Sequence, residues 1–304
     1  MVVALVLVLL LAWPIGLGIW ANGRLERIEA LSGAADTPGT VYLLAGSDVR
    51  DGEVVRQDAT EGERADTIML LVVPESGPSA MLSLPRDTYT EIPGQGANKL
   101  NAAYAWGGPA LLTESVEGLT GMTVDHYVEI GFDGVAGVVD AVGGVELCLD
   151  YDVDDEKSHL EWEAGCHVSD GPTALAFARM RYSDPEGDIG RGKRQQQLIK
   201  AVTQEAASAG TLVNPFEQVR LARAGTDALT LSEGSSIVDL GRLALGFRRA
   251  TGPDGVTGTP WIASGDYRPG GVGSTVLLDD ERNPGLFSSI MDGSVEPGEV
   301  GGMP

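Results

Sequence analysis

Five of the 21 Lys and Arg residues of this 304-residue chain crowd into sixteen positions, at Arg179, Arg181, Arg191, Lys193 and Arg194. In a chain of formal charge −23, guanidinium groups this close repel one another unless an anion or an acidic partner sits among them. Their planar forks of donors match phosphate oxygens. A solvated helix face explains most basic runs, but the pattern here points elsewhere. Residues 173–180 read as a helix with Leu175, Phe177 and Ala178 as its apolar members, which delivers Arg179 and Arg181 to a loop that breaks at Asp184-Pro185. Arg191 and Arg194, with Gln195, open a second helix whose apolar Leu198, Ile199 and Val202 follow at helical spacing. Two arginine pairs then converge across one loop, and backbone N–H groups at the start of the second helix add to the attraction for an anion. The chemistry this implies is phosphate binding.

An acidic half accompanies it. Gly46-Ser47-Asp48-Val49-Arg50 ends one apolar run, Arg64-Ala65-Asp66-Thr67 enters the next, and Ser83-Leu84-Pro85-Arg86-Asp87-Thr88 ends a third. A single Asp at such a place is usually a turn former. Three Asp/Arg strand ends beside the arginines are better explained as a site, since α/β sheets assemble sites at strand ends. Paired carboxylates, Asp48 and Asp66, together with phosphate oxygens suit magnesium, or manganese in its place. His126, His159 and His167 lack the paired spacing of zinc ligands. The chain has no Gly-rich loop ending in Gly-Lys-Ser/Thr, no nucleophile elbow in a strand-turn-helix setting and no Cys-His arrangement. The chemistry left is direct phosphoryl transfer to a hydroxyl, driven by positioning and charge neutralisation.

The elements that must hold these residues alternate. Strands are expected at residues 41–45, 68–73, 80–84, 126–130 and 145–149, with helices at 109–119 and 132–142 between them. That order predicts an α/β fold, a three-layer α/β/α sandwich around a central mixed sheet. Residues 1–20 carry no charge and are long enough to cross a bilayer as a helix. A cleaved signal peptide is the competing reading, against which stand the length of the stretch, the lack of a basic start and the terminal Trp20. The expected organisation is a transmembrane helix over 1–20, a juxtamembrane linker over 21–39, a catalytic domain over 40–282 and, from its Gly, Pro and acid content, a disordered tail over 283–304. An anchor followed by a large acidic domain favours an oxidising setting, in which Cys148 and Cys166 form a disulfide rather than remain buried thiols. The negative charge argues against a nucleic-acid partner.

The ordered motifs around Asp48, Asp66 and Arg86, the run Asn98-Lys99-Leu100-Asn101-Ala102-Ala103-Tyr104 and the segment from Arg179 to Gln196 resemble the LytR-CpsA-Psr proteins of Gram-positive cell walls, over about residues 41–203. The Cys pair and the Arg-Tyr-Ser-Asp-Pro wording are similar to actinobacterial members. The resemblance implies a single-pass membrane protein with its catalytic domain outside the cytoplasm. It implies a domain that binds a polyprenyl pyrophosphate, with the lipid tail in an apolar tunnel, and that transfers a phosphoglycan from this carrier to a peptidoglycan hydroxyl with magnesium. Matched motif by motif, it gives Asp48 and Asp66 to the metal and Arg64, Arg86, Arg179, Arg181, Arg191 and Gln195 to the pyrophosphate. Asp66, Asp48 and Arg86 are then the catalytic residues, and one of the two Asp residues, Asp66 in preference to Asp48, receives the acceptor's proton. Two other readings stay open: a hydrolase that uses water as acceptor, and a non-catalytic lipid-phosphate sensor or transcription attenuator.

Overall fold

The computed structural model describes residues 2–47, 65–181, 183–185 and 187–303, without the side chains of residues 2–11, 47, 66, 132, 133, 188, 189, 209 and 212. The chain opens with α1 (Val2–Asn22) and β1 (Glu26–Ile28), followed by β2 (Thr40–Ser47), β3 (Ala65–Val73) and β4 (Ala80–Leu84). A hairpin of β5 (Tyr89–Ile92) and β6 (Gly96–Lys99) leads to α2 (Leu100–Thr120), β7 (His126–Gly131), α3 (Phe132–Val142) and β8 (Val145–Leu149). Next come β9 (Val153–Asp155), β10 (Leu160–Trp162), β11 (Gly165–Ser169), α4 (Gly171–Arg179) and α5 (Asp188–Ala206). The rest is α6 (Ala209–Val213), α7 (Pro215–Ala228), β12 (Leu229–Ser232), α8 (Ile237–Ala250), β13 (Val256–Tyr267), β14 (Thr275–Leu278), α9 (Asn283–Met291) and β15 (Gly298–Gly302).

Among the described residues, nine strands form one mixed sheet in the order β1-β12-β7-β2-β3-β4-β13-β14, with β15 also on β13. Alternation explains the layers, because successive side chains of a strand point to opposite faces. Val41 and Leu43 of β2 and Leu70 and Val72 of β3 pack with Leu112 and Val116 of α2 and Phe287 and Ile290 of α9. Tyr42, Met69 and Leu71 point the other way and pack with Phe247 and Ala250 of α8. Both faces are therefore covered by helices, as the alternating pattern predicts. Leu70 and Leu71 are fully buried, and truncating either to Ala costs about 2–5 kcal/mol.

The predicted helix starting at Pro109 is the second half of α2, whose axis breaks at Gly107 and Gly108; Gly108 has φ 64°. The helix predicted at 132–142 is α3, and it ends at Gly143 with φ 90°, a left-handed cap that favours glycine. A second core lies beside the sheet, where Val139 of α3, Leu147 of β8, Trp162 of β10, Phe177 of α4 and Leu198 of α5 pack together. β8 pairs antiparallel with β11 so that Cys148 stands opposite Cys166. The two form the predicted disulfide, with S–S 2.03 Å.

Two expectations about the ends are corrected. The tail at 283–304 is folded: α9 buries Asn283, Phe287 and Ile290, and β15 runs parallel to β13. The Asn283 amide donates to the Trp261 carbonyl at 2.9 Å and accepts from the Trp261 N–H at 2.8 Å. Its Gly and acidic content hides the spaced apolar residues that pay for its order. The linker at 21–39 also supplies structure, since β1 is the edge strand parallel to β12. Residues 2–22 are helical; among the described residues, no helix is long and apolar enough to cross a membrane.

Candidate functional site

Strand register brings three of the predicted motifs to one end of the sheet. β2 pairs antiparallel with β3, Gly46 opposite Thr67 and Ser47 opposite Ala65, so Asp66 is the extra residue of a bulge. Bulges re-aim the chain where a strand ends. Ile68, two residues on, faces Leu84, the last residue of β4, which puts the Pro85-Arg86-Asp87 turn at the same end. β7 joins there as well, with Ile130 beside Gly46. Gly46 is required by this closeness, because a Cβ on it would stand 2.9 Å from the Thr67 Cβ. Asp48 and Arg64 lie outside the described residues. Asp48 follows Ser47 directly in the sequence, and Arg64 precedes Ala65.

The turn after β4 gathers positive charge around one carboxylate. Lys99 Nζ lies 3.1 Å from Asp87 Oδ1, and Arg181 Nη2 and Arg86 Nε each lie 3.9 Å from Asp87 Oδ2. The Asp87 side chain keeps 21% of its exposure, so solvent still reaches the cluster. The start of α2 fixes the turn: the Leu100 N–H donates to the Thr88 carbonyl at 2.8 Å and the Asn101 N–H to the Arg86 carbonyl at 3.0 Å. Sequence reasoning gave no role to Lys99 or Asp87. Both stand inside the motifs, and the signal available was that Lys99 is one of only four lysines.

The arginine loop is held from two sides. Asp170 caps α4, accepting from the Thr173 N–H at 3.0 Å, and Arg179 ends that helix. Asp155, 2% exposed, accepts from the N–H groups of Lys157, Ser158 and Ser183 at 2.9, 3.0 and 3.2 Å. Burial pushes its carboxyl up, but hydrogen bonds from the N–H groups of Ser158, Ser183, Lys157 and Arg181 outweigh it, and the carboxyl sits below its ordinary value. Asp155 thus holds the backbone that carries Arg181. On the other side, Arg194 donates to the Phe177 carbonyl at 2.9 Å, to the Met180 carbonyl and to the Asp184 carboxylate. This corrects one expectation. Arg194 does not pair with Arg191 as an anion clamp; it is buried and fastens α4, the loop and α5 together.

The remaining residues of α5 do reach the sheet end. Gln195 Nε2 donates to Thr67 Oγ1 at 2.6 Å, directly after Asp66. Arg191, one turn earlier on the same helix face, is 8% exposed. Gly192 lets α5 approach β4, as a Cβ there would stand 2.9 Å from Ser83 Oγ. The structure therefore brings Arg86, Arg181, Gln195 and the backbone of Asp66 to one sheet end, with Arg179 and Arg191 on the helices that flank it. Such a cluster can hold a multiply charged phosphate group through charge-assisted hydrogen bonds.

For a metal, the donor set is the test. Among the described residues, no three or more of His, Cys, Asp and Glu gather as a ligand group; of the two expected metal residues, Asp48 and the side chain of Asp66 lie outside the described ones, and carboxylates of that type are hard-oxygen ligands that suit a small divalent cation. An apolar cavity of about 950 Å3 lies between α1 and α7, lined by Trp13, Leu17, Ala21 and Leu221 among others. It shares no lining residue with the arginine site.

Known proteins carry the same frame. LcpB of Corynebacterium glutamicum, a probable cell wall biosynthesis protein, is 41% identical over 282 residues, covering 90% of this chain and 66% of that protein. TagU of Enterococcus faecalis, a polyisoprenyl-teichoic acid–peptidoglycan teichoic acid transferase, is 35% identical over 227 residues, 73% of this chain and 71% of TagU. Bacillus subtilis TagT superposes with a TM-score of 0.65 at 25% identity, covering 89% of this chain and 99% of TagT. TagT bound to LI-WTA gives the same figures, TM-score 0.65 at 25% identity. The chain spans 66% of the length of LcpB, so the likeness to it is of this portion. The profile of the LytR_cpsA_psr family matches residues 21–249, and the chain belongs to the LytR-CpsA-Psr family.

Proposed function

We propose that this chain is a phosphotransferase that moves a phosphoglycan from a polyprenyl-pyrophosphate carrier to a peptidoglycan hydroxyl and releases polyprenyl phosphate. The observation that carries the proposal is the convergence of Arg86, Lys99 and Arg181 on Asp87, beside the Gln195–Thr67 contact at the strand ends. TagU, a polyisoprenyl-teichoic acid–peptidoglycan transferase, supports this class of donor and acceptor, and LcpB, in cell wall biosynthesis, and TagT with bound LI-WTA accord with it.

The pyrophosphate is held by Arg86, Arg179, Arg181, Arg191 and Gln195, with Arg64 completing the set. Asp87 offsets the mutual repulsion of Arg86, Lys99 and Arg181 before the substrate arrives and keeps them in place. The acceptor oxygen attacks the phosphorus nearer the glycan, the bond from that phosphorus to the bridging oxygen breaks, and polyprenyl phosphate leaves. The proton of the acceptor hydroxyl passes to a carboxylate, for which Asp66 stands at the right strand end. Asp48 and Asp66 would hold a magnesium ion, which would supply neutralisation of the charge that develops on the phosphoryl oxygens. Within this proposal the uncharged stretch of residues 1–20, of which the side chains of residues 1–11 lie outside the described ones, crosses the membrane once, with the domain outside the cytoplasm, where the disulfide is stable.

The test is to supply lipid-linked glycan with and without peptidoglycan oligomers. Consumption of donor that depends on peptidoglycan supports transfer. Equal consumption in both arms, with free phosphorylated glycan as product, would make the chain a hydrolase.

A further inference from the structure

Three cavities lie side by side where α5 faces β13, each sharing lining residues with the next. One of about 260 Å3 is lined by Asp87 and Arg181 and belongs to the arginine site. It shares Ser83 and Thr259 with a second of about 140 Å3. The second shares Lys193, Gln196 and Thr257 with a third of about 720 Å3, which ends at residues 148–151 beside the disulfide. The third alone lies within the ~300–1,000 Å3 typical of ligand sites. A row of adjoining cavities, a segmented groove, therefore leads from the arginine site along α5.

The residues along it form a pattern that phosphate binding does not use. Lys193, Gln196, Gln197 and Lys200 line the third cavity at spacings of three, four and seven, so they make one stripe of α5, about 10 Å long at ~1.5 Å per residue. Arg191 and Gln195 occupy another face, and one helix serves both places. Two of the chain's four lysines stand in this stripe. Lys193 lies 3.9 Å from Glu299, with side chains 49% and 71% exposed, a contact of the kind that contributes little. Lys200 is exposed. Each glutamine amide offers a donor and an acceptor side by side, which neighbouring sugar hydroxyls can satisfy together, and Tyr151 adds an aromatic wall.

We propose that this groove is the acceptor subsite: it takes a peptidoglycan strand, an amino-sugar polymer bearing carboxylate-ended peptides, and leads one of its hydroxyls to the Asp87–Arg181 end. The glutamines bind sugar hydroxyls and the lysines bind carboxylates. The inference rests on the phosphotransferase reading of the arginine site, and binding can be measured without turnover. Peptidoglycan oligomers are titrated into the full chain in nanodiscs, using wild type, Lys200→Glu, Lys200→Arg and Gln197→Trp. Steady-state transfer is then measured with lipid-linked glycan as donor.

The expected result is acceptor affinity about ten-fold weaker in Lys200→Glu, the size expected when a bond to a charged group is lost, and recovery in Lys200→Arg. Gln197→Trp, which fills the groove, should raise the acceptor KM while leaving the donor KM unchanged. Wild type that binds oligomers in this pattern but transfers nothing would keep the groove and remove the transfer reading. Equal oligomer binding by wild type, Lys200→Glu and Gln197→Trp would overturn the groove, as would a rise in donor KM alone, which would give the groove to the donor glycan.

Discussion

Replacing Arg194 should unfold the site rather than weaken its affinity. The side chains of Arg194 and Asp184 are 5% and 3% exposed, so the pair is out of water, and Arg194 also serves the carbonyls of Phe177 and Met180. Arg194→Ala takes the guanidinium away from the buried Asp184 carboxylate, and breaking a buried pair by removing one partner costs about 3–5 kcal/mol. At about 2–4 °C per kcal/mol for domains of 150–250 residues, the melting temperature should fall by about 6–20 °C. Thermal denaturation followed by circular dichroism measures it. Arg194→Met combined with Asp184→Leu removes both charges and fills the space, and should be more stable than Arg194→Ala. A melting temperature for Arg194→Ala within about 2 °C of wild type would refute the reasoning. So would a double variant less stable than the single one, since it would show that the pair is not what fastens α4 to α5.

Arg179→Ala or Arg181→Ala should weaken binding of a lipid pyrophosphate by about 1.5–3 kcal/mol with little change in melting, and Lys should restore only part because the fork is lost; a titration with normal affinity in both Ala variants would contradict the site. Asp155 titrates below its ordinary value in the fold, so the charge stabilises the protein fully above the unfolded pKa of about 3.9 and the benefit is lost as pH falls through the lower folded value. The stability gap between wild type and Asp155→Asn, measured by denaturant titration, should therefore be constant from about pH 7 to 5 and shrink below about pH 4; a gap that widens in acid would contradict this. Reducing the Cys148–Cys166 bond, which joins residues 18 apart, should destabilise the fold by about 3 kcal/mol. A reduced protein that melts with the oxidised one would remove that contribution.

The layers were legible because β2, β3 and β4 alternate or run apolar and the helices between them carry their own start and stop residues. The α9–β15 tail was hidden by composition, since Asn283 orders it through two hydrogen bonds to one distant residue, Trp261, which no local pattern records. The arginine site was legible as a density of charge, but density did not separate roles. Arg181 faces Asp87, whereas Arg194, from the same run, turns inward to Asp184. Lys99 and Asp87 went unassigned because their meeting depends on the turn after β4 folding back onto the start of α2, a contact made in space.

The most direct test of phosphoryl transfer is a dual-label experiment, with carbon label in the glycan and 32P in the glycan-proximal phosphorus of the lipid-linked donor, incubated with peptidoglycan oligomers and the full chain. Both labels should enter peptidoglycan in equal amounts, unlabelled polyprenyl phosphate should appear with them, and Asp66→Asn should yield neither product while remaining folded. Carbon label in peptidoglycan without 32P would mean that the glycan moves without its phosphate, and both labels left in solution would mean that water is the acceptor. Either result would contradict the phosphotransferase account.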